Sequence, residues 1–221
     1  MFDTRYLGTY AKATCPDKKM VGLLMGADTL VGDEFELFFK TENGDPVAWV
    51  RNRFGDEIGS FDRNISYRLS AIQADGWTIR VDLAFIGVSE GKESNQYWAM
   101  MGIVGSSPRY SEEVDVFFKK VCEQHMNGIR PDLELNTTSI DQMLAAKGNW
   151  LPSKNVLDTI SKKKGIIVKG ERSLSEKIVE QGRAGNKGCY AISWAFIGLL
   201  VIGAVFLIKA LLGLYAGFLI L

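Results

Sequence analysis

Residues 77–89 read WTIRVDLAFIGVS and residues 96–104 read QYWAMMGIV, and these two stretches decide the fold. Both are rich in β-branched and aromatic side chains, a composition typical of β-strands. Three shorter stretches of the same character precede them, at residues 34–39, 47–51 and 57–61, and Gly, Asn, Asp and Pro separate them. Five strands joined by tight turns predict a small barrel or a curled sheet.

One helix interrupts these strands. Asn64 is placed to cap its start, and Asp75-Gly76 to end it. Ile65, Leu69 and Ile72 are spaced by four and then three residues, so they lie on one face of a helix. The sequence therefore predicts a helix that lies across the barrel.

Beyond the strands the pattern changes to helices, which makes the predicted fold class α+β. Ser111 is a favourable N-cap, and an apolar stripe from Val114 to Cys122 precedes an end signal at Asn127-Gly128. This stripe predicts a helix packed on the sheet, with Cys122 in the core and His125 on the surface. Further elements are predicted at residues 139–146 (helix), 152–161 (helix), 166–168 (apolar run) and 173–176, where SLSE is a capping box that opens a last helix.

The stretch at residues 189–221 has Lys209 as its only charge. Residues 190–208 are apolar or small throughout, and as a helix they would measure about 28 Å, close to the thickness of the hydrocarbon core of a bilayer. A buried helix of a soluble protein would need a larger core around it than the rest of this chain offers. The sequence therefore predicts a C-terminal transmembrane helix, a tail anchor that contacts the membrane through residues 190–208.

Residues 210–221 leave several arrangements open. They would form a helix of only about 18 Å, which is too short to recross the bilayer. The span could continue with a strong tilt, it could break near Lys209 and lie in the interface, or the whole stretch could form a tight hairpin. Gly213 and Gly217 have the small-xxx-small spacing that lets helices approach closely, so a homo-oligomer through the membrane helix is one option.

The charge distribution predicts how the chain is oriented. The 26 basic and 26 acidic residues balance, but residues 154–187 hold nine basic and four acidic residues, whereas residues 1–153 hold 16 and 22. Positively charged flanks of a span stay on the cytoplasmic side. The first residues do not have the pattern of a signal peptide. We therefore expect a single-pass membrane protein whose N-terminal domain is cytoplasmic.

Four regions are predicted along the chain. Residues 1–106 form a β-rich domain, and residues 107–181 form a helical extension with a basic stalk. Residues 182–188, GRAGNKG, form a flexible linker. Residues 189–221 form the transmembrane anchor.

The composition argues against most kinds of enzyme. Three cysteines and one histidine are too few for a disulfide scaffold or for a metal site built from these residues. The sequence contains no phosphate-binding or dinucleotide-binding glycine motif and no H-E-x-x-H or G-x-S-x-G motif. We therefore expect no catalytic residue, no metal and no cofactor, and a membrane enzyme of unknown class remains the least favoured alternative.

Part of the chain resembles a known family. Residues 45–50 (DPVAWV), residues 55–63 (GDEIGSFDR) and the following predicted helix, which closes at Asp75-Gly76, resemble the core of HIRAN domains. The resemblance covers about residues 31–89. It implies a small β-barrel with an added helix. It also implies binding to single-stranded DNA, because the better-known members bind the ends of such strands.

A cluster of basic and aromatic residues surrounds this HIRAN-like hairpin, and it is the best candidate in the sequence for a ligand site. Such side chains bind nucleic acid by charge and by stacking, although Asp56, Glu57 and Asp62 could instead pair with the arginines. The candidate residues for binding a ligand or nucleic acid are Arg51, Arg53, Phe54, Arg63, Tyr67 and Arg68. The sequence predicts a non-enzymatic, membrane-anchored binding or adaptor module with an unknown protein partner. The alternative is a membrane-tethered binder of single-stranded nucleic acid.

Overall fold

The computed structural model describes residues 3–89, 96–156, 166–183, 196–197 and 199–200. The chain divides into two units, Met1–Glu176 and Lys177–Leu221. All strands described below and the helices up to residue 145 lie in the first unit. In the second unit, residues 196–197 and 199–200 are helical and their side chains are exposed.

The described elements alternate strands with short helices. The strands are β1 (Tyr6–Thr14), β2 (Glu34–Glu42), β3 (Asp45–Arg51), β4 (Glu57–Phe61), β5 (Thr78–Ser89), β6 (Gln96–Ser106) and β7 (Ile166–Lys169). The helices are α1 (Lys18–Met25), α2 (Arg63–Ala74), α3 (Ser111–Met126), α4 (Thr137–Ala145) and α5 (Leu174–Arg183), with a 3-10 turn at Pro108–Tyr110. This is an α+β fold, as predicted.

Six antiparallel strands form a closed barrel in the order β2-β3-β4-β1-β6-β5, and β2 pairs with β5 to close it. β7 adds to β5 as a seventh strand. The five strands expected from the sequence are all present, so the barrel prediction is confirmed. The sequence reading missed β1, which pairs with β6 along its whole length and with β4 at Ala13 and Thr14.

Alternating residues of the strands fill the barrel. The fully buried members include Ala13, Val50, Ile58, Val81, Leu83, Ile86, Ala99, Met101 and Ile103. A side-chain period of two residues explains this pattern, because one face of each strand points into the barrel. The hydrophobic effect of burying these side chains is the main source of the stability of the barrel.

α2 begins two residues earlier than the sequence indicated. Asp62, rather than Asn64, is the N-cap, and its Oδ1 accepts a hydrogen bond of 3.0 Å from the Ile65 amide. Leu69 and Ser66 are buried, and Ser66 Oγ accepts 2.9 Å from the Ala48 amide of β3. The helix is thus attached to the barrel by a backbone group of β3 as well as by its apolar face.

A second apolar layer covers the outer face of β1, β5 and β6. It consists of Tyr6, Val104, Val114, Phe117, Phe118, Val121, Leu133, Ile140 and Met143. α3 begins at Ser111, directly after the 3-10 turn, and Ser111 Oγ donates to the Pro108 carbonyl instead of capping the helix. Asn136 caps α4, which begins at Thr137, two residues before the predicted start at residue 139. The helical extension therefore packs on the barrel, as the stripe in the sequence indicated.

Of the remaining helix predictions, the one at residues 152–161 is wrong in its described part and the one that begins with the capping box is confirmed. The predicted helix at residues 152–161 is absent from its described part, because residues 152–156 are not helical and Asn155 forms an isolated β-bridge with Pro131. Residues 157–161 lie outside the described residues. The capping box is confirmed: Ser173 Oγ accepts from the Glu176 amide, and Glu176 Oε2 accepts from the Ser173 amide.

Among the described residues, no helix has the length and the apolar composition needed to cross a membrane. The span predicted at residues 190–208 lies almost entirely outside the described residues, as do residues 210–221 and most of the predicted linker.

Candidate functional site

The six predicted site residues fall into three separate places. Arg51, Arg53 and Phe54 line one groove at the β3–β4 hairpin. Arg63 and Tyr67 lie on α2 beside Asp45, where the second strand of the β2–β3 hairpin begins. Arg68 lines a different cleft. The structure therefore does not gather them into one basic surface.

The first place, which we call the hairpin groove, is the largest of these. It has a volume of about 660 Å³ and is lined by residues of β2, of the β3–β4 turn and of β5: Glu34, Phe35, Glu36, Leu37, Arg51, Asn52, Arg53, Phe54, Gly55 and Ile79. Leu37 and Ile79 come from two strands that are neighbours in the barrel but pair only at the first two residues of β2, Glu34 and Phe35. The groove therefore lies where β2 and β5 separate.

Asn52 holds the turn of this groove in shape. Its side chain is buried, and its Oδ1 accepts from the amides of Phe54 at 3.0 Å and Asp56 at 2.9 Å. Gly55 adopts a φ of 86°, which glycine reaches without a steric penalty. These contacts hold the turn in one conformation, and Phe54 on it is 57% exposed.

The two arginines of the groove differ in their partners. Arg51 makes a two-pronged ion pair with Glu36 across β2 and β3, with Nε 2.7 Å from Oε2. Its guanidinium thereby lowers the pKa of Glu36. Arg53 instead stacks on Phe54, with its guanidinium carbon 4.8 Å from the ring centre. No carboxylate in the described part of the chain pairs with Arg53, so this cation and the Phe54 ring are available to a ligand.

Arg63 and Tyr67 on α2 already contact another residue of the chain, Asp45. Arg63 lies 2.7 Å from Asp45 and over the Tyr67 ring, and Tyr67 donates to the same carboxylate. These contacts join the start of α2 to the start of β3. Arg63 and Tyr67 thus have a structural role in this arrangement.

Arg68 lines two adjoining clefts near the start of β1. One has a volume of about 290 Å³ and includes Asp3 and Glu134, and the other has about 280 Å³ and includes Ile72 and Trp77. Both also include Tyr6 and Leu7. Arg68 thus faces the opposite end of α2 from Arg63, away from the hairpin groove.

The most concentrated polar chemistry lies elsewhere, in a buried network between the barrel and α3. The expectation that His125 is on the surface is wrong, because His125 is completely buried. Its Nδ1 lies 2.5 Å from Oδ2 of Asp82, itself fully buried on β5, and its Nε2 lies 2.9 Å from the Tyr10 hydroxyl of β1. Gly102 permits this approach, since a Cβ there would overlap Asp82 Oδ1.

Hydrogen-bond accounting assigns the protons of this network. The Tyr10 hydroxyl donates its single proton to the Pro131 carbonyl at 2.8 Å, so His125 Nε2 must donate to the Tyr10 oxygen. Nδ1 shares the other hydrogen bond of the ring with the Asp82 carboxyl group. Burial, reinforced by the charge of Asp82, raises the pKa of Tyr10 and keeps it a donor. Both ring nitrogens of His125 therefore have a partner inside the core.

Arg130 extends the network toward β7. Its side chain is fully buried and donates to the carbonyls of Ala84 and Gly170, with a longer contact of 3.5 Å to the carbonyl of His125. Burial lowers the pKa of Arg130 to about 10, against the opposing influence of Tyr10, Asp82 and Glu171. The guanidinium thus connects three segments that are distant in sequence.

Part of this network left a signal in the sequence. His125 follows Val121 by four residues and so belongs to the apolar stripe of α3, and Asp82 interrupts an apolar strand. Polar side chains in core positions are usually paired with each other. The partnership with Tyr10 is not evident in the sequence, because β1 lacks a clear strand pattern.

The two described cysteines, Cys15 and Cys122, are partly buried. Burial raises the pKa of Cys15 to about 12 and, with the charge of Asp82 beside it, raises the pKa of Cys122. Both thiols are poor nucleophiles in this state.

Within the described residues, no three His, Cys, Asp or Glu side chains are arranged to hold a metal ion. Comparison of the chain with models of known families, with curated proteins and with solved structures finds no match.

Proposed function

We propose that this chain is a membrane-anchored cytoplasmic binding module, without catalytic activity, that recruits a protein partner through the hairpin groove. The observation that carries the proposal is the exposed Phe54 ring with the Arg53 guanidinium stacked on it, both at the mouth of a groove of about 660 Å³. An exposed aromatic ring and an arginine without a carboxylate partner are the side chains most often used to anchor a bound protein.

Anchoring to the membrane is the second part of the proposal. It is supported by the apolar residues 190–208 and by the five-residue excess of basic over acidic side chains in residues 154–187. A domain fixed to the inner face of a membrane meets its partners there. The proposed module would therefore act on proteins that come to the membrane.

The test combines fractionation with site-directed cross-linking in intact cells. We expect the full-length chain to stay with the membrane pellet after an alkaline wash. A photoreactive benzoylphenylalanine at position 54 should yield a discrete protein adduct, whereas the same residue at Tyr67, which is also exposed but outside the groove, should not. Release into the soluble fraction would refute the anchor, and equal labelling at both positions would refute the groove.

We infer a second candidate function, binding of single-stranded nucleic acid, from the HIRAN-like character of residues 31–89. Its support is the order of the elements, since the strand at Asp45–Arg51, the hairpin to Glu57–Phe61 and the helix at Arg63–Ala74 follow the sequence of elements that the resemblance implies. The Arg53–Phe54 stack offers both a charge for a phosphate and a ring for a base. The acidic balance of residues 1–153 opposes this function.

If nucleic acid is the ligand, Phe54→Ala should weaken binding of a labelled oligonucleotide roughly 5- to 100-fold, since a base stacked on an aromatic ring contributes about 1–3 kcal/mol. Arg53→Glu should also reduce the salt dependence of binding by about one counterion. Fluorescence anisotropy of single-stranded DNA and RNA with the full-length chain in detergent measures both effects. Arg63→Glu is the matched control and should change binding less, because Arg63 already forms an ion pair with Asp45. No binding at low salt would exclude this candidate.

A further inference from the structure

β2 closes the barrel with only part of its length. It pairs with β3 from Glu36–Arg51 to Glu42–Asp45, but with β5 only at Glu34–Asp82 and Phe35–Val81. From Glu36 onward, no strand in the described ranges pairs with the side of β2 that faces away from β3. From Glu36 to Glu42, β2 therefore has an open edge, although the barrel is otherwise closed.

The register shows which backbone groups point out of this edge. Pro46 has no amide hydrogen and lies opposite Thr41, and the amide of Ala48, opposite Phe39, donates to Ser66 Oγ instead of to β2. These are therefore the non-hydrogen-bonded positions of the β2–β3 pair, which alternate along an antiparallel ladder. Leu37, two residues before Phe39, belongs to the same set.

At such positions the N–H and C=O groups of the residue point away from the neighbouring strand. Leu37, Phe39 and Thr41 thus present three donors and three acceptors along the open edge, and no described residue accepts from or donates to them. An edge of this kind pairs readily with another strand. The remaining question is which strand fits it.

The side chains on the outer face of β2 are self-complementary. Glu36, Phe38 and Lys40 alternate along that face, and in an antiparallel pair with Phe38 on the two-fold axis, Glu36 lies opposite Lys40 of the second copy. Leu37 then lies opposite Phe39, so the outward backbone groups of the two copies meet in four hydrogen bonds. A register centred on Phe39 would instead place Glu36 opposite Glu42 and bring like charges together.

We propose that two copies of this chain associate through β2, antiparallel and centred on Phe38. The ladder covers Glu36–Lys40 of each copy, which leaves the residues already paired with β5 undisturbed. Lys40 also lies 4.2 Å from the Trp49 ring centre and 2.6 Å from Glu57, and Arg51 holds Glu36, so the charges of the interface are oriented before association. The association is independent of the membrane helix.

Disulfide trapping tests this register directly. At the non-hydrogen-bonded pair on the axis, the two Phe38 Cα atoms would be about 4.5 Å apart, within the range of a disulfide. We expect Phe38→Cys, in the full-length chain with Cys189→Ser, to form a linked dimer at least tenfold faster than Thr41→Cys, whose copies would lie about 20 Å apart. Equal rates, or faster linking through Thr41→Cys, would overturn the proposal.

Charge reversal provides a readout that needs no cysteine. Lys40→Glu would place like charges opposite each other twice, and we expect it to weaken the dimer roughly tenfold in sedimentation equilibrium of the full-length chain in detergent. The double variant Glu36→Lys/Lys40→Glu should restore the dimer. A monomeric wild-type chain, or a dimer that both variants leave unchanged, would assign association to another surface or to none.

Discussion

Replacing His125 by alanine is expected to lower the free energy of unfolding by about 3–5 kcal/mol. The change removes the partner of Asp82 and leaves its carboxyl group fully buried without that hydrogen bond. Asp82 Oδ1 already has no hydrogen-bond partner among the described residues, and the Cys122 thiol beside this carboxyl group is only a weak donor. Urea unfolding of the full-length chain in detergent, followed by tryptophan fluorescence, measures the effect.

A matched control and a double variant make this prediction specific. Glu123→Ala changes an exposed residue of the same helix and should stay within about 0.5 kcal/mol of the wild type. The double variant Asp82→Ala/His125→Ala should lose less than the sum of the two single losses, because neither polar group is then left buried without its partner. If His125→Ala were as mild as Glu123→Ala, the buried His125–Asp82 contact would not be a significant source of stability.

Arg130→Met should lower the free energy of unfolding by about 3 kcal/mol. Methionine replaces the apolar stem of arginine, but it is shorter and cannot donate to the carbonyls of Ala84 and Gly170. Leaving buried acceptors unpaired costs about 1–3 kcal/mol each before any relaxation. The loss should appear in urea unfolding, and hydrogen exchange should show faster opening where β5 meets β7.

The chain offers a control for this change too. Arg109→Met replaces an exposed arginine that stacks on Tyr110, and it should have little effect. Arg130→Lys should be intermediate, since an ammonium group cannot reproduce the planar fork that serves several carbonyls at once. A stability for Arg130→Met equal to that of Arg109→Met would contradict the bridging role that its contacts indicate.

The strands could be predicted where the local pattern was sufficient. The stretches that became β2 to β6 are rich in β-branched and aromatic residues and lie between turn residues, so each is recognisable alone. β1 reads YLGTYAKAT, and its Gly8, its two alanines and its lysine weaken that pattern. It is a strand because it pairs with β6, some 90 residues further along the chain.

In the candidate site too, some features follow from the local sequence and others depend on long-range contacts. Arg51, Arg53 and Phe54 belong to one hairpin, so their proximity follows from the turn between two strands. Arg63 and Tyr67 are also near in sequence, but the long-range position of Asp45 determines that they are occupied. The sequence indicated Asp56, Glu57 and Asp62 as acidic partners of the arginines, whereas Glu36 and Asp45 hold Arg51 and Arg63.

The sequence by itself determined the α+β class, the strand-rich first half, the ends of α2 and α3, the capping box of α5 and the apolar character of residues 189–221, because each of these depends on neighbours within a few positions. Only the tertiary structure decided how the barrel closes, which arginine has no carboxylate partner among the described residues, and that His125 is buried against Asp82. Those features depend on groups far apart in the chain, whose approach is set by strand pairing and by the packing of α3 on the barrel.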